Sequence, residues 1–131
     1  MIGVDTNVFV RFLVQDDEAQ ANRARDLFER CYEEGTKCLI TIIALCELEW
    51  VLTASYKVTR EEIANTVYGF LLEELFEVEE SSVVKAALNQ YRQGRGDLSD
   101  YLLGARGKAL GVETTYTFDK ALRHVESFTL L

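Results

Sequence analysis

Proline is absent from the 131 residues, and no linker, repeat or low-complexity segment interrupts them. Histidine occurs once, at His124 in a weakly patterned tail, so a histidine-based catalytic triad has only that residue to draw on. The three cysteines, Cys31, Cys38 and Cys46, are odd in number and form no Cys-x-x-Cys pair. A disulfide framework or thiolate zinc site is therefore not expected, and all three read as small buried hydrophobes. The longest apolar stretch, 38–46, is broken by Thr41 and falls far short of the roughly 20 residues that a membrane span needs. Met-Ile-Gly-Val-Asp at the start has no basic region and reaches an acid at Asp5, so a secretory signal is not expected and a cytoplasmic place is. Positive charge is scarce as well. Fourteen basic against 22 acidic residues leave a net charge of −8, which excludes a broad basic footprint for nucleic acid.

What is present is a hydrophobic share of 48%, too high for a disordered chain, in a length suited to one domain over residues 1–131. Apolar runs alternate with helical patterns. Short strands are expected at 1–4, 37–41, 76–79, 112–117 and 127–131. Helices are expected at 6–14, 17–34, 43–56, 59–75, 82–93 and 99–110, with a short one at 119–124. Thr59-Arg-Glu-Glu62 reads as a capping box, and Gly35 as a helix stop. Strand–helix alternation predicts an α/β fold with a mainly parallel sheet. Ligands in such sheets bind beyond the carboxyl ends of the strands, where Asp5 and Asp119 both fall.

The acids at those ends carry two readings each. Asp5, Asp97 and Asp119 suit helix N-caps, and Asp100, three residues after Asp97, shares a helix face with it. Glu47 and Glu49 lie in a helix apolar on nearly every side, where an ionised carboxylate is costly unless paired, protonated or metal-bound. They point about 200° apart, and the pattern does not choose between them. The runs Asp16-Asp17-Glu18 and Glu77-Val78-Glu79-Glu80 read as solvated helix ends and loops. Two carboxylates about 4 Å apart repel by about 4 kcal/mol at an effective dielectric of 20. A cluster of four therefore needs a cation, and an all-oxygen set points to Mg²⁺ or Mn²⁺.

Four segments resemble the PIN-domain ribonucleases, specifically the VapC-type toxins of toxin–antitoxin pairs: Ile2-Gly-Val-Asp5-Thr6-Asn7-Val8, Cys46-Glu47-Leu48-Glu49-Trp50-Val51-Leu52, Gly96-Asp97-Leu98-Ser99-Asp100-Tyr101-Leu102-Leu103, and Thr117-Phe118-Asp119-Lys120. The resemblance spans the chain and implies a three-layer sandwich, a mainly parallel central sheet with helices on both faces. It matches Asp5, Glu47, Asp100 and Asp119 to the family's four acids, which selects Glu47 over Glu49. Asp97 matches a supporting acid, and Asn7 and Thr117 match pocket residues that orient water or carboxylates. The implied activity is hydrolysis of RNA phosphodiesters by a water activated on Mg²⁺ or Mn²⁺ held by these carboxylates. The implied partners are RNA, a VapB-like antitoxin and a second copy of the chain in a homodimer. Tyr101 departs from the small residue that usually follows the third acid, which bears on the width of the pocket. Arg11, Arg92, Arg95, Arg106, Lys108, Lys120 and Arg123 flank the motifs and are candidates for phosphate contacts.

Two other functions compete. A Mg²⁺-dependent phosphatase of the haloacid-dehalogenase type also places an acid after its first strand, but needs Asp-x-Asp where this chain has Asn7. A catalytically silent PIN-like protein that acts only by docking a partner would gain nothing from four mutually repelling acids.

Overall fold

The computed structural model describes all residues, 1–131, which divide into two compact units, Met1–Glu79 and Glu80–Leu131. The first contains β1 (Ile2–Gly3), α1 (Thr6–Val14), α2 (Glu18–Glu34), β2 (Cys38–Ile40), α3 (Ile42–Tyr56), α4 (Arg60–Leu72) and β3 (Phe76–Val78). The second contains α5 (Ser81–Gln93), α6 (Leu98–Ala109), β4 (Thr115–Thr117), a 3₁₀ turn at Lys120–Leu122 and β5 (Phe128–Leu130). The expected α/β class and parallel pairing are what the chain adopts, with helices accompanying parallel strands in each unit.

In the first unit the strand order is β1-β2-β3, with Ile2 opposite Cys38 and Cys38 opposite Phe76. Each crossover is helical, as parallel strands require. The helices start where side chains supply caps. Asp17 accepts from the Gln20 amide at 3.0 Å to open α2. Thr59 and Glu62 exchange bonds in the capping box that opens α4. Gly35, at φ 68°, closes α2 in the left-handed region that favours glycine. The buried face of α2 is Ala21, Ala24, Phe28 and Cys31, of which Phe28 meets rings from elsewhere in the unit. Phe9, Phe28, Phe70 and Phe76 form an aromatic core with neighbouring centroids 5.0–6.1 Å apart, mostly edge to face. Cys31 and Cys38 are free and buried, and Cys46 is half-buried. Burial, then the Cys31 thiol beside it, pushes the Cys38 thiol up to about 11, so it stays protonated and inert.

In the second unit α5 and α6 pack together beside the parallel pair β4-β5, with Thr115 opposite Phe128. Tyr91 and Tyr101 meet edge to face at 6.4 Å inside it. Most expected boundaries move by a residue or two, and two move further. α4 stops at Leu72, because the Leu75 carbonyl is already committed to the Cys38 amide at 2.9 Å and the chain must extend to reach it. β4 begins at Thr115, because the Val112 amide folds back onto the Gly107 carbonyl at 2.9 Å and finishes α6 instead. No helix is long and apolar enough to cross a membrane.

Candidate functional site

Asp5 stands two residues beyond β1, at the carboxyl edge of the three-stranded sheet, and caps α1. Its Oδ1 accepts from the Thr6 amide at 2.8 Å. The buried Thr6 hydroxyl in turn donates to Glu47 Oε1 at 3.1 Å. One threonine thus holds the first two predicted acids together from opposite ends of its own side chain and backbone. Thr6 carried no expected role. Its signal in the sequence was its place between two polar residues in Asp5-Thr6-Asn7, where a buried β-branched hydroxyl must find a partner.

Glu47 and Glu49, between which the sequence pattern does not choose, differ in burial, and Glu47 is the outer one. It is exposed on α3, between Ile43 and Trp50, which are 72% and 70% exposed. The buried acid is Glu49, which makes a polar contact of its own. The nearly uniform apolarity of α3 hid which side faces outward, because a helix without a polar face has no direction to read. Of the large apolar residues of the first unit, Phe9 and Phe70 are buried, whereas Trp50 and Tyr68 remain outside.

The acidic runs are more engaged than solvated ends would be. Glu79 follows β3 and is half-buried, and its Oε1 accepts from the Ile42 amide at 2.9 Å at the start of α3. A carboxylate there satisfies an orphan donor and meets the positive end of the helix. Asp16 accepts from Tyr56 Oη at 2.8 Å and pairs with Arg11 at 2.9 Å. The Tyr56 hydroxyl first, and the Arg11 charge after it, hold its carboxyl below the ordinary range. Glu80 pairs with Arg106, and Glu77 with Lys37.

In the second unit Asp97 and Asp100 open α6 as a capping box, with the Asp97 amide donating to Asp100 Oδ2 at 2.9 Å. The capping reading is thus realised at both positions. Asp119 follows β4. Its Oδ1 accepts from the Ala121 amide at 2.9 Å, and its own amide donates to Thr117 Oγ1 at 3.0 Å. Burial, then the negative charges of Asp97 and Asp119, push the Asp100 carboxyl up, against the pull of the Asp97 amide. Asp100 therefore feels the charge of both neighbouring acids. Asn7 is exposed and Thr117 half-buried.

Tyr101 does not crowd these acids. It is buried, and its hydroxyl accepts from the Gly96 amide at 3.0 Å. The ring fits only because residues 94 and 96 lack side chains. A Cβ on Gly94 would fall onto the Tyr101 hydroxyl, and one on Gly96 would meet Leu122 Cδ2 at 2.8 Å.

Each of Asp5, Glu47, Asp100 and Asp119 is held by a hydrogen bond to one oxygen. A carboxylate has about four acceptor sites, so these bonds fix the groups without exhausting them. Within neither unit do three His, Cys, Asp or Glu side chains converge closely enough to hold a metal ion. Among the basic residues flanking the motifs, Arg11, Arg106 and Lys108 are in ion pairs, while Arg95, Lys120 and Arg123 are exposed.

The model of the PIN domain family matches residues 2–127. A VapC ribonuclease of Aquifex aeolicus (strain VF5) is 28% identical over 120 residues, covering 92% of this chain and 88% of that protein. No solved structure matches.

Proposed function

The chain belongs to the PIN domain family, and from that premise we propose that it is a metal-dependent endoribonuclease, the toxin of a VapBC-type pair. The observation that carries the reading is the family match over residues 2–127, and the negative charges of Asp97 and Asp119, which with burial raise the Asp100 carboxyl, support it. Uncompensated acids of that kind suit a cation. The donor set is all oxygen, so Mg²⁺ or Mn²⁺ fits its chemistry better than zinc. Asp5, Glu47, Asp100 and Asp119 would hold it, with Asp97 in support. Bound there, it would offset the repulsion between acids, polarise a phosphodiester and activate water. Thr6 keeps Glu47 oriented, and Thr117 keeps the backbone of Asp119 in place. Phe118, 79% exposed beside Asp119, offers a face on which a base can stack.

We assign the protein to the cytoplasm, treat residues 1–131 as one PIN-type domain, and assign it two protein partners, a VapB-like antitoxin and a second copy. Support comes from apolar surface. An open groove of about 740 Å³ in the first unit is lined by Phe12, Phe28, Tyr32, Phe70 and Phe76, among others. Ile43 and Trp50 lie exposed on α3.

The silent docking protein has one observation in its favour, the lack of any three-acid convergence within either unit. One experiment separates the two. Purified protein is incubated with cellular RNA, with and without Mn²⁺, and new RNA ends are mapped beside Asp5→Asn and Asp100→Asn. Metal-dependent ends that vanish in both variants support the nuclease. Identical ends in wild type and variants remove it.

A further inference from the structure

The first unit has a second cleft, of about 410 Å³, between α1 and α2. It begins at Asn7, on the first turn of α1 and directly after the Asp5–Thr6 cap. Asn7 and Arg11 are one helical turn apart, about 6 Å along the axis. Gln20 and Arg23 face them from α2, and Val8 and Leu27 supply apolar wall. In a chain of net charge −8, no carboxylate lines this cleft. We propose that it is a phosphate subsite that grips the RNA backbone beside the cleavage position, with Arg23 as its free cation; this rests on the ribonuclease reading above.

Each lining group has a defined part. Arg11 is fixed on three sides: its Nε donates to Gln20 Oε1 at 2.7 Å, and its Nη1 to Asp16 at 2.9 Å and to Tyr56 at 3.3 Å. Asp16 offsets the charge of Arg11 but leaves its guanidinium rigid, with Nη2 as a further donor. The bond to Arg11 uses the oxygen of the Gln20 amide, so its NH₂ is the end left to donate. Asn7 is exposed and contributes a second amide. Arg23 is exposed and has no ion-pair or hydrogen-bond partner in the structure. An unpaired arginine beside a prefixed arginine and two amides is a set of donors with no carboxylate among the lining residues, which matches the oxygens of a phosphodiester. The apolar wall suits the ribose between two phosphates. An acidic peptide is the other anion that such a cleft would take.

The test is the affinity of a fluorescein-labelled single-stranded RNA for the full chain in EDTA, read by anisotropy at several salt concentrations. Arg23→Gln is expected to weaken binding about tenfold, the size of one lost charge-assisted bond. It is also expected to flatten the log K against log salt slope by about 0.7, one phosphate contact on a single strand. Arg23→Lys restores most of the slope. An Arg23→Gln protein with wild-type affinity and slope overturns the proposal. So does an acidic peptide that displaces the RNA only from wild type while Arg23→Gln still cleaves RNA with an unchanged KM. The subsite and the nuclease reading fail separately. Arg23-dependent binding without cleavage in any metal removes the nuclease and keeps the subsite, whereas metal-dependent cleavage indifferent to Arg23 does the reverse.

Discussion

The Thr6 hydroxyl donates to Glu47 Oε1 across 41 positions of sequence, while the Thr6 amide donates to Asp5. This pairing makes a threonine the link between the cap of α1 and the exposed acid of α3.

Thr6→Val keeps the branched shape and removes the donor. A hydrogen bond to a charged group contributes about 1.5–3 kcal/mol, so denaturant unfolding should show a loss in that range or somewhat less, given the exposure of Glu47. RNA cleavage should fall about tenfold or more through kcat, since a displaced Glu47 misplaces the chemistry rather than weakening binding. Wild-type stability and rate together would show that the bond orients nothing.

Asp100 titrates above its ordinary value of 3.8 because burial and two neighbouring carboxylates disfavour its charge. Its folded form holds the proton more tightly than the unfolded one, so its contribution to stability is present at low pH and lost as pH rises through the folded-state pKa. Asp100→Asn should abolish that loss. In melting curves, the variant should gain on wild type as pH rises from below 4 toward neutrality. A constant difference across that range would contradict the crowding.

Divalent cation should act on the same acids with opposite sign. At one hundred times its Kd, Mg²⁺ or Mn²⁺ should stabilise the wild type by about 2.7 kcal/mol, and Asp100→Asn by less. Calorimetric melts with and without the ion measure it. Equal shifts in both proteins would place the ion elsewhere.

The Asp16 carboxyl is held below 3.8 by the Tyr56 hydroxyl and then by Arg11. That contribution exists above the unfolded-state pKa and fades as pH falls through the lower folded-state value. Tyr56→Phe should move the carboxyl back up toward its ordinary range. A titration of the Asp16 side-chain carbon by NMR reads the shift directly, and an unmoved midpoint would assign the effect to Arg11 alone.

Gly94→Ala drives a methyl group onto the Tyr101 hydroxyl and should cost about 1–3 kcal/mol in thermal unfolding. Combining it with Tyr101→Phe should recover part of that loss. Full additivity of the two changes would mean that the residues do not meet.

Much of this architecture was legible because local rules and tertiary demands agree. Asp17, Thr59 and Gly35 mark helix ends by their own chemistry, and the stripe from Ala21 to Cys31 faces inward as its spacing requires. The candidate acids were legible as strand-end and helix-start positions. Their surroundings were not. The outward turn of Glu47 depends on which side of α3 its neighbours cover, and no polar face encodes that. The role of Glu79 depends on an amide in another element, Ile42, 37 positions away. The fit of Tyr101 depends on glycines at 94 and 96 whose smallness has meaning only once the ring is in place. Pairwise dependence of this kind has no trace in a single pattern.

Ile2 and Gly3 pair with Cys38 and Leu39 only after α1 and α2 have been laid down between them. Two residue pairs are small reward for closing so long a loop, so this short strand is expected to dock after the local helix contacts have formed. Asp5 inherits that timing. Until β1 docks, Asp5 has no fixed place at the edge of the sheet, even where the helices around it have already packed.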